Sequence, residues 1–309
     1  MAGTFTEADL IWKDGAFVPW AEANVHVLST AVMFGSSVFE GIRCYETPRG
    51  PAVFRLPEHM KRLVNSCRIY RMDPGYDMAA LVEASLEVIR RNGLGSCYIR
   101  PTVLRGYGAT GMDGVGSPVE TYIAAWPWGA YLGAEALDMG VDVCVSSWQR
   151  AAANTFPGMA KAAGHYNNAA LIKMEAQANG FVEAIALTTD GHVSEGSGQN
   201  LFAVVDGTVL TPPIEGSNLQ GVTRNSIFHI AHDLEIPMRE TVMPRELLYA
   251  ADELFFSGTA TEVTPIRSVD HIQVGAGRSG PVTKRIQDRF LAITSGATND
   301  DHGWLTLVG

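Results

Sequence analysis

Midway through this 309-residue chain, residues 126–137 concentrate Trp, Tyr, Gly and Pro. That composition suits a connector better than a strand, because Gly and Pro punctuate regular structure. The chain is thereby cut in two. Residues 1–125 read as a small mixed α/β domain, 126–137 as an interdomain connector and 138–309 as a larger domain. The length suffices for two domains that share one site or for one large one, and aromatics on a connector beside a cleft make good pocket walls.

Both blocks mix helices with strands. Leu56-Pro57-Glu58 opens a helix, with Pro57 suited to the first turn and Met60, Leu63, Val64 and Cys67 at helical spacing. A second helix runs from near Asp77, an N-cap, through Leu81, Leu86 and Ile89 to Gly93, a C-terminal stop. Segments 97–104 and 121–125 read as strands. Beyond the connector, 141–146 and 184–187 read as strands and 168–179, 225–234 and 282–293 as helices, with Asp190-Gly191 and Asp206-Gly207 as turns. The pattern is α+β, without internal repeats.

Bulk properties exclude several function classes. A net charge of −10 argues against a nucleic-acid partner, because neutralising phosphates takes clustered Lys and Arg. The opening Met1-Ala2-Gly3-Thr4-Phe5-Thr6-Glu7 lacks the basic and apolar regions of a signal peptide, and no apolar run approaches a membrane span. Cys44, Cys67, Cys97 and Cys144 are widely spaced, with neither a zinc pattern nor a dense disulfide framework. A reduced, cytoplasmic protein is expected. His229, His232 and Asp233 share a helix face, but their spacing matches no established metal motif, so no metal is expected.

Two motifs carry chemistry. Lys161 lies among small residues in Met159-Ala160-Lys161-Ala162-Ala163-Gly164-His165-Tyr166, and Ser194-Glu195-Gly196-Ser197-Gly198-Gln199-Asn200 follows. Taken singly, such a Lys is usually solvated and such a Glu a turn carboxylate. Both, however, stand at the ends of expected elements, where sites are built. Pyridoxal 5'-phosphate needs a lysine amine for its aldehyde, an acid for its ring nitrogen and donors around its phosphate. Lys161, Glu195 and the Gly-rich turns supply these types.

Lys161 with Tyr166, 195–202 (EGSGQNLF), 221–224 (GVTR) and 257–262 (SGTATE) resemble the fold type IV aminotransferases. Segments 38–45 (VFEGIRCY) and 126–133 (WPWGAYLG) are similar to the bacterial branched-chain amino-acid aminotransferases within that family. The similarity spans nearly the whole chain. It implies a two-domain α+β fold of the D-amino-acid-aminotransferase type, with a small α/β N-terminal domain and a larger C-terminal pseudo-barrel domain. It implies transamination of leucine, isoleucine and valine with 2-oxoglutarate, and a homodimer or higher homo-oligomer.

Roles follow residue by residue from the resemblance. Lys161 is the catalytic lysine and Glu195 the ring-nitrogen acid. Tyr166 reaches the cofactor's phenolic oxygen. Arg62 binds the phosphate, together with Val222 and Thr223 at a helix N-terminus and Thr259 in a second turn. Tyr98 and the amides of Thr259 and Ala260 hold the substrate's α-carboxylate, and Arg100 takes glutamate's distal carboxylate. Tyr98 and Arg100 alternate on a strand, so both project to one face. Phe39, Trp128, Tyr131 and Tyr166 match the family's apolar walls.

Some positions depart from the pattern. Phe34 stands where many relatives have Tyr, Gln199 replaces Glu, and the loop 106–116, which in the family covers the partner subunit's site, matches least well. A D-amino-acid or (R)-amine transaminase and an aminodeoxychorismate lyase of the same fold remain the alternatives, with a non-catalytic binding protein as a third. Tyr98 and Arg100 speak against the D-amino-acid type.

Overall fold

The computed structural model describes residues 6–129, 134–214 and 218–309. Contacts divide the chain into two compact units. The first comprises Met1–Gly129, Ala160–Gly164 and Ile293–Gly309, and the second Ala130–Met159 and His165–Ala292. A five-residue segment carrying Lys161 and the C-terminal tail therefore belong with the N-terminal unit.

The N-terminal part contains β1 (Leu10–Lys13), β2 (Ala16–Pro19), α1 (Thr30–Phe34), β3 (Ser37–Phe39), β4 (Ile42–Tyr45), β5 (Ala52–Phe54), α2 (Leu56–Ile69), α3 (Met78–Arg91), β6 (Cys97–Arg105) and β7 (Val119–Pro127). The chain continues through α4 (Ala134–Met139), β8 (Val141–Val145), α5 (Tyr166–Ala178), β9 (Glu183–Leu187), β10 (Val193–Gly196), β11 (Asn200–Val205) and β12 (Thr208–Thr211). It closes with α6 (Val222–Asp233), β13 (Met238–Glu240), α7 (Leu247–Ala250), β14 (Glu253–Gly258), β15 (Glu262–Val269), β16 (Ile272–Gln273), α8 (Pro281–Thr294) and β17 (Leu305–Leu307). No helix among the described residues is long and apolar enough to cross a membrane.

In the first unit the described strands form one sheet in the order β17-β5-β4-β6-β7-β1-β2, with β3 on β6. Strand alternation gives this sheet two chemically different faces. Cys97, Ile99 and Val103 of β6 join Ile42 and Cys44 of β4 and Ile123 and Ala125 of β7 in a core with Met60 and Leu63 of α2 and Leu81 and Ile89 of α3. Each fully buried Leu or Ile there contributes about 1.5–3 kcal/mol. The opposite face carries the intervening residues. Tyr98 pairs with Trp126, Arg100 with Ala124, and Thr102 with both Tyr122 and Phe39. The helices start where the sequence places them, Pro57 in the first turn of α2 and Asp77 capping α3 by accepting the Ala80 N–H at 2.8 Å.

The second unit holds a sheet ordered β10-β9-β8-β15-β14-β11-β12-β13, with β16 on β15. β8 runs parallel to both β9 and β15, and the β11–β14–β15 run is antiparallel. The turn between β11 and β12 has Asp206 and Gly207 both at positive φ, 47° and 72°, as a two-residue hairpin requires.

The segment expected as a connector is more regular than its composition suggests. Trp126 and Pro127 prolong β7, because Trp126 finds Tyr98 as a cross-strand aromatic partner with ring centroids 5.3 Å apart. Ala134–Met139 forms a helix, as its Ala, Glu and Leu favour. Tyr131 lies outside the described residues.

Candidate active site

In the first unit, Lys161 is fixed by its main chain. Its N–H donates to Ser66 Oγ of α2 and its carbonyl accepts the Phe39 N–H, both at 3.0 Å, while Ala162 bridges to Val38. The half-buried side chain then carries Nζ to 5.1 Å from the Phe39 ring centroid. The same ring faces Arg100, whose Cζ is 4.6 Å from its centroid and 5.4 Å from that of Tyr98. Arg100 Nε is buried and makes no hydrogen bond among the described residues. Such a donor costs about 1–3 kcal/mol until an acceptor reaches it, which is what a ligand carboxylate offers. Trp126 and Trp128 pack on Tyr98, Trp128 at 4.9 Å. Phe39, Tyr98, Arg100, Trp128 and Lys161 are thus brought together on one side of the sheet.

Arg62 lies on α2 beside the Lys161 segment, in a cluster that local sequence does not reveal. Its Nε and Nη2 donate to the two oxygens of Glu40 at 2.6 and 2.8 Å, and His59 Nδ1 is 2.7 Å from Glu40 Oε2. Glu40 and His59 are buried. Burial pushes the Glu40 carboxyl up, but the Arg62 charge and hydrogen bonds, joined by His59, outweigh it and hold the group well below the usual carboxylate range. Burial likewise lowers the His59 pKa against the pull of Glu40, and the Arg62 and Lys161 charges add to the lowering. Facing an acceptor-only carboxylate, the imidazole carries a proton on Nδ1.

In the second unit, Glu195 is buried near the start of a turn that closes with Gly196 N–H donating to Gln199 O at 2.7 Å. Arg150 Nη2 donates to Glu195 Oε1. Asn200 Nδ2 and the Leu219 N–H both donate to Oε2 at 3.2 Å. Arg150 also meets Asn168 Oδ1 at 3.3 Å, which ties Glu195 to the first turn of α5, where Tyr166 is the opening residue. Asn200 reaches on to Leu219 O at 3.0 Å and packs against Gly221, where a Cβ would come within 2.1 Å of Asn200 Oδ1. Gly221 is the N-cap of α6 and provides no side-chain cap, so the amides of the first turn at Val222 and Thr223 are available to an anion. Thr259 and Ala260 form the turn from β14 to β15, flanked by Ser257 Oγ and Thr261 Oγ1, which are buried and make no hydrogen bond among the described residues. Uncapped amides and orphaned hydroxyls fit a phosphate, and an acceptor-only carboxylate fits a protonated ring nitrogen.

Arg150, Glu40 and His59 were not singled out by the sequence. Glu40 stands inside the 38–45 segment that carries the resemblance, whereas Arg150 has no local signal at all, since its partner is 45 positions away.

The class IV amino-transferase model matches residues 37–269. A branched-chain-amino-acid aminotransferase of Salmonella typhimurium is 53% identical over 306 residues, covering 99% of each chain. The crystal structure of the Escherichia coli branched-chain amino acid aminotransferase superposes with a TM-score of 0.96 at 52% identity, over 98% of this chain and 100% of that one. The branched-chain amino acid aminotransferase of Thermobaculum terrenum in its PLP-bound holo form superposes at 0.91 with 32% identity, over 98% and 99%. An amine beside two carboxylate-binding candidates, a fixed acid and an anion cradle meet a match of this extent, and the chain belongs to the class IV aminotransferases, pyridoxal-phosphate enzymes, in their branched-chain branch.

Proposed function

We propose that this enzyme transfers the amino group of L-leucine, L-isoleucine or L-valine to 2-oxoglutarate. Pyridoxal 5'-phosphate, when bound, supplies the carrier for the amino group and the electron sink for the α carbon. Lys161 would hold the cofactor through its Nζ, the atom that would also take up and return the substrate's α proton. Glu195 accepts from the ring nitrogen, and Arg150 and Asn200 keep its carboxylate oriented for that contact. Arg62, Val222, Thr223 and Thr259 hold the phosphate, and Tyr166 meets the phenolic oxygen. Tyr98 with Thr259 and Ala260 takes the α-carboxylate.

One observation carries the substrate reading. Lys161 Nζ and Arg100 Cζ lie 5.1 and 4.6 Å from the same Phe39 ring. A substrate whose amine reaches Lys161 places its side chain along an apolar ring that ends at a guanidinium. An aliphatic side chain is accommodated by the ring, and a distal carboxylate by Arg100, so one pocket serves both half-reactions.

A homodimer is the smallest unit we propose. The segments around α1 and the loop before β7 are joined by Thr30 N–H to Gly106 O at 3.4 Å and Thr30 Oγ1 to Ser117 Oγ at 3.1 Å. They expose Val27, Val32, Phe34, Met112 and Val115, between 48% and 80% accessible. An apolar patch of this kind fits a second copy related by a twofold axis.

The test is the absorption spectrum of the purified protein before and after adding L-leucine, D-alanine or (R)-1-phenylethylamine separately. The reading requires a yellow protein bleached mainly by L-leucine and restored by 2-oxoglutarate. Faster bleaching by D-alanine or the amine overturns the substrate assignment while leaving the cofactor.

A further inference from the structure

We propose that Glu40 is the positioning residue for Arg62: it fixes the plane of the guanidinium in the orientation that serves the cofactor phosphate. The inference rests on the reading of Arg62 as a phosphate ligand and extends it to a carboxylate that touches neither cofactor nor substrate.

Four observations support it. The Arg62–Glu40 contact is a parallel fork through Nε and Nη2 at 2.6 and 2.8 Å, a geometry that leaves the guanidinium a single orientation. Glu40 has no accessible side-chain surface and Arg62 only 12%. A buried ion pair of this kind gains little stability over apolar residues of the same volume, because two charges are desolvated, so its use here is orientational. The carboxylate is itself held from the other side by His59 Nδ1 at 2.7 Å, and the Glu40 N–H is anchored on Pro101 O at 2.9 Å. His59, Arg62 and Ser66 recur every three or four positions on one face of α2, so the helix that aims Arg62 also receives the main chain of Lys161 at Ser66. In Glu40→Gln one of the two fork acceptors becomes a donor facing a donor, and the guanidinium turns.

The experiment compares wild type, Glu40→Gln and Arg62→Gln, each freed of cofactor and titrated with pyridoxal 5'-phosphate and, separately, with pyridoxal, which lacks the phosphate. For Glu40→Gln the dissociation constant for pyridoxal 5'-phosphate should rise about tenfold, while that for pyridoxal stays unchanged. Glu40→Asp, which keeps the charge but draws it back from the fork, should show the same selective loss and carries the comparison if the glutamine variant does not fold. An equal weakening of both ligands would mean a general structural role and overturns the proposal. If Arg62→Gln weakens only the phosphorylated ligand and the Glu40 variants bind both normally, the positioning role fails and the Arg62 reading stands. If Arg62→Gln also binds both normally, the Arg62 reading fails and takes the proposal with it.

Discussion

At position 161 the structure holds the backbone and leaves the amine to the chemistry. Both main-chain bonds, to Ser66 and Phe39, survive loss of the side chain. Lys161→Ala should therefore fold with an unchanged denaturation midpoint and show no steady-state transamination; retained turnover rules out the assignment. The neighbouring His59 makes a pH prediction. Its folded-state pKa is lowered below 6.5 by burial, so between that value and its folded pKa the unfolded chain binds more protons than the native one. Its contribution to stability is complete above pH 6.5 and declines as pH falls below it. Glu40, also lowered, adds its own loss only below its ordinary value of 4.5. The apo-protein's melting temperature should fall more steeply from pH 6.5 to 5 than that of His59→Asn, with Glu40, Arg62 and Lys161 the charged groups facing the ring; parallel slopes would exclude His59 as the source. Lys161 and Glu195 were legible in the sequence because each stands in a local motif. Glu40 and Arg150 were not, since what defines them is a partner.

At the scale of elements, two close approaches constrain the strands that present the candidate ligands. A Cβ on Gly41 would lie 1.9 Å from Tyr98 Oη, the tip of a rigid ring. Gly41→Ala should therefore displace the Tyr98 hydroxyl and lower kcat/KM for L-leucine about ten- to a hundredfold, since misplacement of about 1 Å is costly in catalysis. The cofactor's absorbance should persist, and an unaltered kcat/KM would remove Tyr98 from substrate binding. The second approach, Gly221 against Asn200, holds the α6 N-terminus beside the Glu195 turn. Helix α3, by contrast, is set by an ordinary side-chain cap. Asp77→Ala removes the acceptor for Ala80 N–H and should cost about 1 kcal/mol in urea unfolding, with activity at 25 °C unaffected. Helix starts and the alternation of β6 were readable because they depend on residues within a few positions. The continuation of β7 through Trp126 was not, because the partner that makes Trp126 a strand residue is Tyr98 on another strand.

For the whole molecule, cysteine burial gives a simple check. All four thiols are free and buried. Burial, with a lesser push from Asp73, raises Cys67 to about 12 and, with Asp270 and Glu175 assisting, Cys144 to about 11; Cys97 is raised by its hydrogen bond to Cys44 and by burial. A thiolate is the reactive form, so a disulfide reagent at pH 8 should label none of the four in the native protein and all four in denaturant; rapid native labelling would contradict the packing of both sheets. What the sequence determined by itself was the local order: helix and strand types, most of their limits, the choice of Lys161 and Glu195 as candidates, and the common face of Tyr98 and Arg100. These follow from backbone preferences and side-chain periods that act over a few residues. The tertiary structure alone decided which charges meet. With 23 Lys and Arg and 33 Asp and Glu in the chain, no spacing rule selects Arg62 for Glu40 across 22 positions, Arg150 for Glu195 across 45, or Ser66 for the Lys161 backbone across 95. Those choices belong to packing, which brings distant segments to hydrogen-bonding distance and excludes water from the charges it pairs.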